Sequence, residues 1–185
     1  MLIAYSGRKQ AGKDTLAAFM RQEFEKQGKK VVLLPFAKGV KDFATKYFNW
    51  DGEKSEAEIK TPWGEFIGGR RLLQGIGLMM REEVSPAFWI DRWILAYQGA
   101  LNDGYDVVQV TDCRFLNEAA AVKMMGGTLI YVHRPGRLRD DHPSETEMNS
   151  KPFQRVVDFS ISNIFELHDL NNCAREAVER LTNGV

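Results

Sequence analysis

A glycine-rich segment near the start of the chain has the residue types of a phosphate-binding loop. It reads Gly-Arg-Lys-Gln-Ala-Gly-Lys-Asp-Thr over residues 7–15, between an apolar run and a helical pattern, which is the context that a Walker A loop requires. Gly7 and Gly12 permit backbone angles at which N–H groups surround phosphate oxygens, and the helix N-terminus adds partial positive charge. We expect Lys13 to reach the β- and γ-phosphates of a nucleoside triphosphate.

The loop departs from the usual Walker pattern at one position. Asp14 stands where that pattern has serine or threonine. A carboxylate beside phosphates repels them unless magnesium or its waters lie between, so we assign Asp14 to the magnesium shell through water and Thr15 to an α-phosphate contact. A glycine-rich turn without a ligand is the alternative. The loop residues predicted to bind ATP are Gly7, Lys9, Gln10, Ala11, Gly12, Lys13, Asp14 and Thr15.

A second cluster of charged residues follows the apolar run at residues 107–111. Asp112, Arg114 and Glu118 are expected at the end of this strand and in the first turn of the next helix. An acid for a metal or a sugar hydroxyl, next to an arginine for a phosphate, suits a second ligand better than simple ATP hydrolysis. The alternative is a strand cap with a surface ion pair. The chain contains no Asn-Lys-x-Asp stretch, so a GTPase is disfavoured.

Further basic and aromatic residues suit an acceptor that carries a phosphate. Arg70 and Gln74 are four apart on a predicted helix and share a face; a solvated helix face is the alternative. Lys38 and Lys41 follow the second predicted strand and can face an acceptor phosphate. Trp89 is the tryptophan that we assign as a stacking wall for a base.

A third basic group lies in a segment without clear periodicity. Arg134, Arg137 and Arg139 fall within six residues after a predicted strand. Arginines in such a lid stabilise charge on a transferring phosphoryl group, and lid closure excludes water so that transfer competes with hydrolysis. We therefore predict a catalytic role for these three arginines, with an exposed charged loop as the alternative.

These motifs need a scaffold, and apolar runs that alternate with helical patterns predict one. The pattern indicates an α/β fold, a five-stranded parallel sheet with helices on both faces. The predicted strands are 2–6, 30–35, 105–111, 128–133 and 156–161. The predicted helices are 13–27, 36–48, 63–83, 86–101, 116–125 and 165–182, while 49–62 is predicted as surface loop or short helix and 134–151 as loop. Ligands bind beyond the carboxyl ends of such strands.

Length and composition limit the class of protein. The chain has 185 residues, of which 44% are hydrophobic, which suits one globular domain. Its 25 lysines and arginines balance 25 acids, which disfavours a nucleic-acid-coating protein. Two cysteines sixty residues apart disfavour a disulfide framework. No run of eighteen apolar residues and no secretory signal is found, so we expect a cytoplasmic protein without a membrane span.

Together, these segments resemble the deoxynucleoside monophosphate kinase family of bacteriophages. The order and spacing of the motifs agree over nearly the whole chain, and an aspartate after the Walker lysine is usual in that family. The resemblance rests on Gly-Lys-Asp-Thr at 12–15, Phe-Ala at 36–37 with Lys41, Arg-Arg-Leu-Leu-Gln at 70–74, Trp89, Asp-x-Arg-Phe-x-Asn-Glu at 112–118 and His-Pro-Ser-Glu at 142–145.

The resemblance implies a P-loop kinase that uses ATP and Mg²⁺ to phosphorylate deoxynucleoside 5′-monophosphates to diphosphates. It implies a single domain over 1–185, with a helical acceptor-binding region at about 36–103 and a lid at about 134–151. If the protein is viral, its compartment is the host cytoplasm. Its partners are then these nucleotides, with neither a nucleic-acid polymer nor a membrane, and homodimer formation stays open. The alternatives are a kinase of another phosphorylated acceptor, such as phosphomevalonate or dephospho-coenzyme A, and a nucleotide-binding module without an acceptor.

The resemblance also implies residue roles. Asn163 resembles the adenine-side loop of related kinases, and Gly77 is expected near the acceptor base, although Leu78 stands where a small polar residue is expected. By resemblance the acceptor is bound by Arg70, Arg71, Gln74, Trp89, Asp112, Arg114 and Glu118.

Overall fold

The structure is a computed structural model that describes residues 1–51, 58–61, 63–135, 146–164 and 167–183. In chain order its strands are β1 Leu2–Ser6, β2 Val31–Leu33, β3 Glu58–Lys60, β4 Phe66–Gly68, β5 Val107–Val110, β6 Thr128–His133 and β7 Phe159–Ser162. Its helices are α1 Lys13–Lys26, α2 Lys38–Phe48, α3 Gly69–Met79, α4 Phe88–Asn102, α5 Leu116–Met124, α6 Lys151–Gln154 and α7 Leu167–Asn183, with a π-helical turn at Met80–Val84 and a 3₁₀ turn at Glu147–Asn149. The chain divides into two compact units, Met1–Pro35 with Tyr97–Val185, and Phe36–Ala96.

The first unit is built on a parallel sheet of five strands in the order β2–β5–β1–β6–β7. The predicted α/β class and parallel sheet are therefore confirmed. β1 is the central strand and is buried along its whole length, as expected for a strand covered on both faces. In the pairing of β1 with β6, Ser6, the last residue of β1, lies opposite Tyr131, so β6 continues to His133 beyond the end of β1.

Helices cover both faces of this sheet. On one face, α1 packs against α7, and Leu16 and Phe24 of α1 join Ile3 and Tyr5 of β1 in one hydrophobic core. Alternate strand residues point to the opposite face, where α5 packs on β1 and β6. These helices pack on the strand from which the glycine-rich segment 7–15 emerges.

The second unit has a smaller core of its own. Residues of α2, β3, α3 and α4 meet there, including Ala44, Ile59, Leu72 and Trp89. β3 and β4 form an antiparallel pair in which Ile59 lies opposite Ile67. This hairpin is not predicted by the sequence, since strands of three residues are too short to show an alternating pattern.

Several predicted boundaries are wrong. The helix expected over 63–83 begins only at Gly69, because Phe66–Gly68 pairs as a strand, and β3 lies in the segment predicted as loop or short helix. The last strand starts at Phe159 rather than 156. Residues 146–151 of the predicted loop include a 3₁₀ turn and the start of α6. Within the described residues, no helix combines the length and the apolar character that crossing a membrane requires.

Candidate functional site

The segment between β1 and α1 has the backbone of a phosphate loop. Gly7 and Gly12 have φ angles of 135° and 98°, and Gln10 has a φ of 61°. The first two values lie where side chains are strained, so glycine is required at both positions. Gly12 is also the N-cap of α1, so the loop runs directly into the positive end of a helix that can receive an anion.

Lys13 closes the loop on itself. Its side chain is 6% exposed, and its Nζ donates hydrogen bonds to the carbonyl oxygens of Gly7 at 2.7 Å and Arg8 at 2.9 Å. These two contacts hold the ammonium group over the start of the loop, and its role toward a phosphate stays a prediction. Around it, Asp14, Lys9 and Gln10 are exposed, so the side chain of Asp14 is accessible to solvent and ions.

The start of the loop is pressed against β6. A Cβ on Gly7 would lie 2.2 Å from the carbonyl oxygen of Val132, a distance that real side chains do not tolerate. Glycine therefore allows the loop and the end of β6 to touch through their backbones. This contact also sets the position of the residues that follow each of them, Arg8 on one side and His133 and Arg134 on the other.

Asn163 holds the far end of the loop. Its side-chain Nδ2 donates to the carbonyl oxygen of Ala11 at 2.9 Å, and its backbone N–H donates to His133 at 2.7 Å. A Cβ on Gly12 would approach Asn163 Nδ2 to 2.4 Å. Asn163 thus holds the end of the phosphate loop that leads into α1, a role that the sequence does not indicate. The adenine-side role given to it by resemblance stays a prediction.

The segment after β5 contains the predicted Asp112, Arg114 and Glu118. Glu118 is 2% exposed, and its Oε2 accepts hydrogen bonds from the backbone N–H groups of Arg114 at 2.9 Å and Phe115 at 3.1 Å. A carboxylate at a helix N-terminus is favoured by the unpaired N–H groups there. Glu118 therefore shapes the turn that presents Arg114, and its predicted contact with an acceptor remains a prediction.

Two neighbours of this turn are absent from the predicted site. Glu147 Oε1 accepts a 2.7 Å hydrogen bond from the backbone N–H of Leu116, so a second carboxylate completes the start of α5; no local sequence pattern connects residues 31 apart. Cys113 is fully buried, and burial raises its thiol pKa well above the usual range, with smaller contributions from Glu118 and Asp112. A thiol held neutral in this way is a poor nucleophile.

In the second unit, the predicted acceptor residues lie on α2, α3 and α4. On α3, Arg70 and Gln74 are partly buried, Arg71 is exposed and Gly77 is buried. The indole Nε1 of Trp89 donates to the carbonyl oxygen of Gly77 at 3.0 Å. Trp89 is only 3% exposed, so its ring is packed within the unit rather than presented as an open wall. Its role toward a base stays a prediction.

The predicted lysines of α2 differ in their surroundings. Lys38 Nζ lies 2.6 Å from Asp42 Oδ2 in an exposed ion pair, and Lys41 Nζ lies 6.0 Å from the ring centroid of Trp50. Of the lid arginines, Arg134 follows β6 directly and is exposed. Arg137 and Arg139 lie outside the described residues, as does most of the predicted lid.

A Walker-type loop after the central strand of a parallel sheet is common to the P-loop nucleotide-binding proteins, kinases among them. Among solved structures, the chain is similar to a dephospho-CoA kinase from Campylobacter jejuni, with a TM-score of 0.58, 12% identity, and coverage of 99% of this chain and 98% of the other. This low identity supports the fold alone. Residues 44–172 match the family model described as deoxynucleotide monophosphate kinase. That match covers well over half of the chain, and the chain belongs to this family.

Curated relatives agree with this assignment. The chain is 32% identical over 100 residues to the deoxynucleotide monophosphate kinase of Enterobacteria phage T4. The matched stretch covers 52% of this chain but only 42% of that relative. It is 29% identical over 165 residues to a protein of Acanthamoeba polyphaga mimivirus named putative deoxynucleotide monophosphate kinase, covering 81% of this chain and 83% of the other. The chain thus spans less than half of the phage relative's length.

Proposed function

We propose that the protein transfers the γ-phosphoryl group of ATP to deoxynucleoside 5′-monophosphates. The observation that carries this proposal is the phosphate loop closed by Lys13 at the carboxyl end of the central strand, in a chain of the deoxynucleotide monophosphate kinase family. The transferring group spreads its charge over three oxygens, so catalysis rests on alignment and on nearby positive charge rather than on a covalent intermediate.

The donor is bound by the loop and its support. Lys13 supplies a positive charge next to the β- and γ-phosphates, and the start of α1 supplies backbone N–H groups. The hydroxyl of Ser6, immediately before the loop, is buried and lacks a hydrogen-bond partner among the described residues. A bound nucleotide or one of its waters can supply that hydrogen bond. Thr15, in the first turn of α1, contacts the α-phosphate. Lys9, Gln10, Ala11 and Asn163 complete the donor side.

Magnesium fits this site through Asp14. Proteins usually hold Mg²⁺ with one or two carboxylates, while waters and substrate phosphates supply the other ligands. Asp14 is exposed in the first turn of α1, which suits contact through water, and no group of three or more potential metal ligands occurs in the described residues. When bound with ATP, the ion supplies charge neutralisation at the phosphates.

Acceptor-binding residues are proposed for each unit separately. In the first unit, Glu118 fixes the backbone of Arg114, whose guanidinium suits the acceptor phosphate, while Asp112 suits a sugar hydroxyl. In the second unit, the acceptor residues are Lys38, Lys41, Arg70, Arg71, Gln74, Gly77 and Trp89. During transfer, Arg134, Arg137 and Arg139 stabilise the charge that develops on the phosphoryl group.

Steady-state assays with a panel of monophosphates test this function. ADP formation is measured with ATP, Mg²⁺ and dTMP, dGMP, dCMP or dAMP in turn, and the phosphorylated product is identified by ³¹P NMR. We expect at least one deoxynucleotide to stimulate ADP formation and to appear as its diphosphate. Unstimulated hydrolysis with every monophosphate would refute the proposal. Ribonucleotides and dephospho-coenzyme A in the same panel separate this kinase from kinases of other phosphorylated acceptors.

A further inference from the structure

A cavity of about 130 Å³ lies beside the phosphate loop in the first unit. The loop contributes Arg8, and the remaining lining comes from the end of β6, the two residues after it and the 3₁₀ turn. The lining residues are Arg8, Tyr131, Val132, His133, Arg134, Pro135 and Asn149. Sites for whole drug-sized ligands have volumes of about 300–1,000 Å³, so this cavity suits one small group rather than a complete nucleotide.

Backbone packing explains why these residues meet. Gly7 touches the carbonyl of Val132, and a side chain at position 7 would force the two segments apart. Ser6 pairs with Tyr131 in the sheet, so the chain leaves β1 and β6 at neighbouring points. Arg8 is therefore brought next to the end of β6 by the same contacts that form the phosphate loop.

The lining residues carry positive charge. They include two arginines, Arg8 and Arg134, and no acidic residue among those that the structure describes. The hydroxyl of Tyr131 donates a 2.9 Å hydrogen bond to Asn149 Oδ1. Burial raises the pKa of Tyr131 against an opposing effect of the nearby Arg8 charge, so the phenol stays neutral and does not cancel the positive charge.

We propose that this cavity binds a phosphoryl group and that Arg8 is a phosphoryl-binding residue supplied by the phosphate loop itself. A guanidinium presents planar, paired N–H donors that match phosphate oxygens. The inference rests on the proposed function, because that function brings two phosphoryl groups to the protein, the terminal group of the donor and that of the acceptor. No role is assigned to Arg8 by the loop pattern, in which its position accepts any residue.

Kinetics of Arg8→Gln and Arg8→Lys test the cavity in the active enzyme. We expect Arg8→Gln to lower kcat/KM by a factor on the order of 10², the loss typical of removing one donor to developing charge, and Arg8→Lys to recover only part of this loss. A rise in KM for ATP identifies the donor phosphate, and a rise in KM for the monophosphate identifies the acceptor. The control is Arg175→Gln on the exposed face of α7, which should leave both constants unchanged. Wild-type values of kcat/KM and of both Michaelis constants in Arg8→Gln would overturn the proposal.

A binding measurement keeps this test separate from the proposed function. In ¹⁵N-labelled protein, the Nε–H resonance of Arg8, assigned through its loss in Arg8→Lys, is followed while inorganic phosphate is added. A saturable shift is expected. If no monophosphate is phosphorylated and the resonance still shifts, the proposed kinase function is refuted and the proposed phosphoryl-binding role of the cavity is supported. If the enzyme is active but Arg8→Gln retains wild-type kinetics, the proposed role of the cavity is refuted and the proposed kinase function is supported.

Discussion

The side-chain Nδ2 of Asn163 donates a 2.9 Å hydrogen bond to the carbonyl oxygen of Ala11, across 152 residues of sequence. The backbone N–H of Asn163 is itself bound to His133. The turn after the last strand of the sheet therefore holds the phosphate loop that follows its first strand. The shape of the phosphate loop depends in this way on two segments that are far apart in the sequence.

Replacing Asn163 with aspartate should impair donor binding. The variant loses the donor to Ala11 and places a carboxylate against that carbonyl oxygen. Leaving such groups unpaired costs about 1–3 kcal/mol, so we expect KM for ATP to rise on the order of tenfold, with a smaller change in KM for the monophosphate. Steady-state kinetics in both substrates measure this. Asn171→Asp, at an exposed position of α7, is the matched control, and equal effects on both Michaelis constants would contradict the assignment.

Lys13→Ala should abolish turnover. The variant removes the ammonium group held between the carbonyls of Gly7 and Arg8, and with it the positive charge next to the transferring phosphoryl group. We expect kcat to fall by a factor on the order of 10² or more. Circular dichroism and thermal unfolding report whether the fold persists. Substantial activity in a well-folded variant would show that the loop is not part of the catalytic site.

Arg114→Ala should act on the acceptor. The backbone of Arg114 is fixed by Glu118, so its replacement changes the side chain without dismantling the turn. We expect KM for the monophosphate to rise about tenfold or more, the loss typical of a charged hydrogen bond, while KM for ATP changes little. Steady-state rates measured while each substrate is varied in turn give the two Michaelis constants. A comparable rise in both Michaelis constants would argue against an acceptor role.

Glu118→Gln should destabilise the fold. The buried carboxylate accepts from two backbone N–H groups at the start of α5, and a neutral amide is a weaker acceptor with a donor of its own to satisfy. We expect the free energy of unfolding to fall by about 1–3 kcal/mol, measured by urea denaturation. Glu179→Gln, on the exposed surface of α7, should change it far less. An unchanged midpoint in Glu118→Gln would show that the two bonds contribute little.

Alkaline pH should destabilise the protein through Cys113. Its ordinary pKa is 9.0 and burial raises it. Above about pH 9 the unfolded chain therefore loses a proton that the folded chain retains, and stability falls as pH rises. The slope for one such group is about 1.4 kcal/mol per pH unit. Denaturation from pH 8 to 10 measures it, and Cys113→Ala should flatten the curve. Equal slopes in both proteins would exclude Cys113 as the cause.

Local patterns predict much of this fold. The buried run at Leu2–Ser6, the glycine spacing of the loop and the helical pattern from Lys13 each appear within a few residues, so the sheet class and the phosphate loop follow from the sequence. Contacts between distant segments do not. The bond from Asn163 to Ala11 and the carboxylate of Glu147 at Leu116 depend on packing, and no short-range pattern encodes them.

Burial is equally hard to predict for single aromatic residues. Trp89 and Trp63 are both apolar, yet Trp89 is 3% exposed and Trp63 is 62% exposed. Their difference arises from neighbours: Trp89 packs on Gly39 of α2 and bonds to Gly77, whereas Trp63 lies in the turn before β4. The low exposure of Trp89 and the high exposure of Trp63 therefore depend on packing that no short sequence pattern shows.

The attachment of the loop at both ends bears on the affinity of the proposed ATP site. Gly7 rests on Val132 and Ala11 is bonded to Asn163. Ordering a flexible backbone opposes binding by about 1–2 kcal/mol for each residue. Because this loop acquires its shape as the sheet forms, that entropic cost falls on folding rather than on the encounter with nucleotide. The proposed donor site is thus preorganised, which would leave more of the contact energy with the phosphates available as affinity.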